Sequence, residues 1–208
     1  MPLQNRVDPF GKIKAHPARG LFMGNRGGCL HNDRQELTGR RWVSERWIIC
    51  LLSFKDRKRP LMAPGKYTEL FFLDEATAFA AGHRPCFECQ RSRAVAFSET
   101  LERCGLVTNG PKAPQLDALI ARHVQQRLKG ELLPDRVPVA SMPNGTMFMT
   151  DGAACLKWRD RALLWSFDGY KAAPNMPETG TLLTPPAVMW AFDEGFVPRV
   201  HESAERTD

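Results

Sequence analysis

Residues 82–89 read Gly82-His83-Arg84-Pro85-Cys86-Phe87-Glu88-Cys89. Two thiolates at this spacing can grip one tetrahedral metal ion, with zinc–sulfur bonds of about 2.3 Å. Redox pairs of the thioredoxin sort use the same spacing. Here, however, the pair follows the end of a short predicted helix and not a strand of a βαβ unit, which favours metal. That helix runs from Glu75 to Ala81, with Asp74 as its N-cap and Gly82 just past its end.

A structural zinc takes four protein ligands. Upstream of the pair stand Cys29, His31 and Cys50, and His83 lies three residues before Cys86. His31 sits in a glycine-rich turn containing Gly24, Gly27 and Gly28, where the backbone can bend around a compact site. The expected set is His31, Cys50, Cys86 and Cys89, with Cys29 as the replacement for either Cys50 or His31. Cys104 and Cys155 fall on predicted core faces and are assigned to packing.

Working outward, residues 46–54 are β-branched and aromatic and read as a buried strand; residues 67–73 read as a second. Residues 21–33 suggest a short strand entering a tight turn, and residues 1–20 an irregular lead-in. Residues 90–104 and 115–129 read as helices, separated by a Gly/Pro-bearing linker over 107–114. Beyond them, short apolar runs at 137–142, 145–150, 153–158 and 161–167 are punctuated by Asn144-Gly145 and Asp151-Gly152, a meander of hairpins. Thr184-Pro185-Pro186 starts a last helix, which Gly195 closes. The expected fold is α+β. It comprises a zinc-stabilised N-terminal knob over 1–108, then a helix and a small antiparallel β domain over 109–208.

Of 208 residues, 43% are hydrophobic and 25% charged, as in ordinary globular chains. The longest apolar run, Trp47 to Leu52, is far short of the roughly 20 residues of a membrane span. No apolar stretch of signal-peptide length opens the sequence, so a cytoplasmic setting with reduced thiols is expected. The net charge of +6 is lopsided: residues 1–93 hold 17 Lys/Arg against 9 Asp/Glu. Such a basic half points to an anionic partner, nucleic acid before membrane. Arg26, Arg40, Arg41, Arg57, Lys58, Arg59 and Arg91 are the candidate nucleic-acid contacts, with Trp42, Trp47 and Phe54 interleaved among them.

Residues 71–89, from Phe71-Phe72 through Asp74, Ala81-Gly82 and Arg84-Pro85 to both cysteines, closely resemble the second half of the zinc module of the Ada methyl-phosphotriester repair family. Looser similarity extends over 21–105. The resemblance implies a small α/β knob in which Cys86 and Cys89 are zinc ligands. The family's upstream Cys-x-x-x-Cys is missing, and Cys29-Leu30-His31 does not replace it.

The function expected from the sequence is a zinc-binding protein that binds nucleic acid, DNA ahead of RNA, through a basic N-terminal face. Two enzymatic alternatives stand beside it. One is an alkyl-accepting repair protein, with Cys29 as the reachable thiol because Cys50 is flanked by apolar residues. The other is a metal-dependent nuclease using His31, Asp33 and Glu69. A third alternative is a protein-interaction module built on the C-terminal domain. No Walker, Gly-x-Ser-x-Gly or His-Glu-x-x-His motif occurs. His201-Glu202-Ser203 reads as part of a frayed tail.

Overall fold

A computed structural model describes residues 1–55, 60–108, 110 and 113–206. Among the described residues the fold is α+β, with four α-helices and two six-stranded sheets. The first sheet is mixed and contains β1 (Gln4–Val7), β2 (Ile13–Ala15), β3 (Phe22–Arg26), β4 (Trp47–Leu51), β5 (Leu70–Phe72) and β6 (Arg84–Pro85). Their spatial order is β2-β1-β5-β3-β4-β6, with β1 parallel to β5, β4 parallel to β6 and the other pairs antiparallel.

The lead-in is therefore not irregular. Residues 4–15 form a hairpin whose first strand joins the sheet by pairing Arg6 with Phe71. This partner lies 65 residues away, so no local pattern in the first twenty residues announces it.

Period-two alternation divides the first sheet into two faces. Val7, Phe22, Ile49, Leu70 and Phe72 point into the main core, where Phe79 of α1 (Glu75–Ala80) and Phe97 of α2 (Arg91–Arg103) meet them. Leu116 and Ile120 of α3 (Ala113–Lys129) and Val188 and Phe192 of α4 (Pro186–Asp193) complete that core. Two helices from the second half of the chain thus pack against the sheet formed by the first half.

The second sheet contains β7 (Arg136–Pro138), β8 (Met147–Thr150), β9 (Ala153–Trp158), β10 (Arg161–Ser166), β11 (Gly169–Ala172) and β12 (Thr179–Leu182). It is antiparallel, in the order β11-β10-β9-β8-β12-β7, so β8 to β11 form the expected meander. Asp151 and Gly152 both have positive φ, as the tight turn between β8 and β9 requires. Thr184 does not cap α4. Its hydroxyl accepts from the Met147 N–H at 2.8 Å, and Pro185 takes the cap position.

Asp74 couples the halves. Its Oδ1 caps α1 by accepting from the Thr77 N–H at 2.9 Å, and its Oδ2 accepts from the Tyr170 hydroxyl at 2.7 Å and the His201 N–H at 3.1 Å. The tail is docked, not frayed: Ser203 Oγ accepts from the Tyr170 N–H at 2.8 Å. Replacing Asp74 with Ala strands these buried donors and should cost about 3 kcal/mol, against about 1 kcal/mol for Tyr170→Phe. Urea unfolding of the two variants checks that ranking; equal and negligible losses would contradict it.

Candidate metal centre

Cys50 lies near the end of β4, one residue past Ile49. β6 pairs with β4 in parallel register, Ile48 with Arg84 and Ile49 with Pro85, and the Cys86 N–H donates to the Ile49 carbonyl at 3.0 Å. Cys86 is thereby brought alongside Cys50. Gly82 permits the approach: its φ is +87°, and a Cβ there would come within 2.9 Å of the Val124 side chain. Arg84 fixes the strand from behind through a buried bidentate pair with Asp117 of α3, at 2.9 and 3.2 Å. Burial pushes the Asp117 carboxyl up despite the guanidinium beside it.

After β6 the chain turns in a tight knuckle. The Glu88 N–H donates to Cys86 Sγ at 3.4 Å, the Gln90 N–H to the Cys86 carbonyl at 3.0 Å, and the Gln90 side chain to the Ile49 carbonyl at 3.0 Å. Cys89 ends this knuckle just ahead of α2, whose N-terminal dipole favours negative charge on sulfur.

The ligand atoms of Cys50, Cys86 and Cys89 all lie within 4.8 Å of one another. Three sulfurs so placed could hold a metal ion. Cys86 is buried, at 8% exposure, whereas Cys50 and Cys89 are half-buried, so the group opens toward the surface. Cys50 and Cys89 turn toward Cys86 and hold its thiol below the ordinary range, Cys50 more strongly, against the opposing effect of burial. The same interaction with Cys86, then with Cys89, drives Cys50 far up.

Among the described residues no other His, Cys, Asp or Glu joins this group. The structure does not bring His31 to it. β3 and β4 run antiparallel, with Met23 opposite Cys50 and Arg26 opposite Trp47, so the turn that follows β3 emerges at the far end from Cys50. There both His31 ring nitrogens are engaged: Nδ1 lies 2.7 Å from the Thr68 hydroxyl and Nε2 3.2 Å from the Ala63 carbonyl. Cys29 lies beside His31, its thiol donating to the His31 carbonyl at 3.2 Å. His83 is fully buried between Trp47 and Phe72, and burial, then nearby Arg26, pushes its pKa well below the usual imidazole range. Cys155 is buried in the second sheet's core, as expected, while Cys104 is only half-buried.

The basic candidates separate. Arg26 belongs to the interior at 1% exposure: it lies over Trp47 at 4.1 Å and donates to the Gly11 carbonyl at 2.9 Å. Burial lowers its pKa to about 9. Register places it there, since Arg26 pairs with Trp47 and so shares its core-facing side, and it is not the surface cation expected for a nucleic-acid contact. Arg40, Arg41 and Arg91 are exposed, with Arg41 donating to the Leu128 carbonyl at 2.6 Å. Arg57, Lys58 and Arg59 lie outside the described residues.

Sequence reasoning missed the outer face of the first sheet. Arg6 pairs with Phe71, Phe71 with Met23 and Met23 with Cys50, so these four residues form a row on the face turned away from the main core. The guanidinium groups of Arg6 and Arg19 both lie over the Phe71 ring, at 4.8 and 5.6 Å from its centroid. The strand alternation Leu70-Phe71-Phe72 could have signalled two faces, but not which other strands would extend the row. No helix among the described residues is long and apolar enough to cross a membrane. Comparisons with protein-family models, curated proteins and solved structures give no match to this chain.

If the cluster is the metal site, serine at Cys50, Cys86 or Cys89 should each sharply lower metal content, while Cys29→Ser and His31→Ala should retain it. Elemental analysis of the folded variants checks this. Metal loss on changing His31, with retention on changing Cys50, would contradict it.

Proposed function

We propose that the chain is a zinc-binding protein that binds nucleic acid through its basic N-terminal half. The convergence of Cys50, Cys86 and Cys89 carries the metal part of this reading. Three thiolates form a soft donor set suited to zinc, which has no geometric demand of its own beyond a preference for four ligands. Ion binding would also tie β4, β6 and the start of α2 together, adding folding energy where the chain contributes only a two-residue strand. The resemblance of residues 71–89 to the Ada zinc module points the same way.

The nucleic-acid part rests on charge. The net +8 of residues 1–93 favours a polyanion, and the exposed Arg40, Arg41 and Arg91 are available for phosphate contacts. The purified, metal-loaded protein should bind single- or double-stranded DNA or RNA, with affinity falling steeply as salt rises. Fluorescence anisotropy across a salt series tests this. Absence of binding to all four at about 50 mM salt would reject the reading.

A second reading has a specific observation behind it. Cys50 is half-buried on the sheet's outer face and not enclosed by its apolar sequence neighbours. Cys29 is half-buried as well, but only Cys50 belongs to the three-sulfur group that could hold a metal, so if the protein accepts alkyl groups from DNA, Cys50 is the acceptor in place of Cys29. In that reaction the thiolate sulfur takes the alkyl group, and the dealkylated phosphate oxygen keeps the bond's electron pair. Intact-mass analysis with peptide mapping after incubation with alkylated DNA tests it: a modified Cys50 supports the reading, and an unmodified protein or a modified Cys29 rejects it.

A further inference from the structure

The outer face of the first sheet carries two arginines on one aromatic ring. Arg6 is fastened in place: its Nε donates to the Ala18 carbonyl and its Nη1 to the Asn5 side chain. Arg19 is exposed and reaches over the same Phe71 ring. Among the described residues neither guanidinium has a carboxylate within ion-pair distance. Burial and then the charge of Arg19 lower the pKa of Arg6. Two like charges held together with no acid beside them among the described residues raise the local positive potential, and an anion placed between them would relieve the repulsion.

Register sets where this pair lies relative to the cysteines. Phe71 is next to Met23, and Met23 is next to Cys50. Adjacent strands are about 4.8 Å apart, so the ring under the arginines stands about 10 Å from Cys50 across the sheet. Met23, half-buried between them, supplies an apolar floor. The surface thus has a cationic end and a cysteine end on one side of a single rigid element.

We propose that Arg6 and Arg19 form the phosphate seat of the nucleic-acid interface, so that a bound strand crosses the outer face of the first sheet toward the Cys50–Cys86–Cys89 group. The proposal rests on the nucleic-acid reading and gives it a location. Guanidinium groups suit this role because their planar forks match phosphate oxygens, and the Phe71 ring orients both forks. Phe71 is itself buried, so it acts by holding the arginines and not by stacking on bases.

The test uses the full-length, metal-loaded protein and a short labelled single-stranded oligonucleotide. Arg19→Ala should weaken binding several-fold and flatten the logarithmic salt slope by about 0.7, the value of one lost single-strand phosphate contact. Arg19→Glu should weaken it further. Arg136→Ala, on the second sheet, should bind like the wild type. Among the described residues Arg19 makes no hydrogen bond, so metal content and unfolding midpoint should stay unchanged. Wild-type affinity in both Arg19 variants would overturn the seat while leaving nucleic-acid binding intact. Failure of the wild type to bind any oligonucleotide would overturn the underlying reading as well. Free inorganic phosphate competing as well as unlabelled oligonucleotide, at equal phosphate concentration, would identify a small-anion seat and overturn the nucleic-acid assignment.

Discussion

The candidate centre depends on the parallel pairing of β4 with β6. Cys50 and Cys86 are 36 residues apart, and only this pairing sets them side by side. It is a slender contact: two registered residue pairs, extended by the Cys86 N–H to the Ile49 carbonyl. Three supports hold it. Gly82 lets the chain turn beneath Trp47 and Val124, the Arg84–Asp117 pair ties the strand to α3, and the Gln90 side chain caps the Ile49 carbonyl. Removing one member of the Arg84–Asp117 pair would leave an uncompensated buried charge directly behind the centre. An ion bridging the three sulfurs would reinforce the pairing, so metal binding and local folding would be coupled.

The same sheet separates structure from chemistry by strand alternation. One face supplies Val7, Phe22, Ile49, Leu70 and Phe72 to a core completed by helices from both halves of the chain. The opposite face presents Arg6, Phe71, Met23 and Cys50 in one row. A one-residue shift in β4 would bury Cys50 in the core and turn Ile49 outward, so the apolar packing that fixes the register also fixes the position of the sulfur. The second sheet contributes through Asp74, which joins the start of α1 to Tyr170 and to the returning tail.

Much of this was legible in the sequence because the signals were local. The Asp74 cap, the Gly82 stop, the Cys86/Cys89 knuckle, the two long helices and the Asp151-Gly152 turn depend on residues within a few positions of each other. Cys50 was in the expected set, but the apolar run around it pointed equally to a buried hydrophobe, and only the pairing of β4 with β6 sets it beside Cys86. What was not legible depended on long-range register. His31 looked like a ligand because of its turn, but strand direction carries that turn away from Cys50 and engages its ring with Thr68 and Ala63. Arg26 looked like a surface cation, but its pairing with Trp47 places it inside. Arg6 and Arg19 fell in a segment read as irregular, because the strand that gives them meaning forms only against the distant β5.

Cys50, Cys86 and Cys89 could hold a metal ion, and the proposed function makes that ion zinc. X-ray absorption at the zinc edge, on the purified full-length protein, tests it most directly. The expected first shell is dominated by sulfur at about 2.3 Å, with three sulfur neighbours per zinc. A shell of nitrogen and oxygen alone, or of one or two sulfurs completed by imidazole, would contradict it.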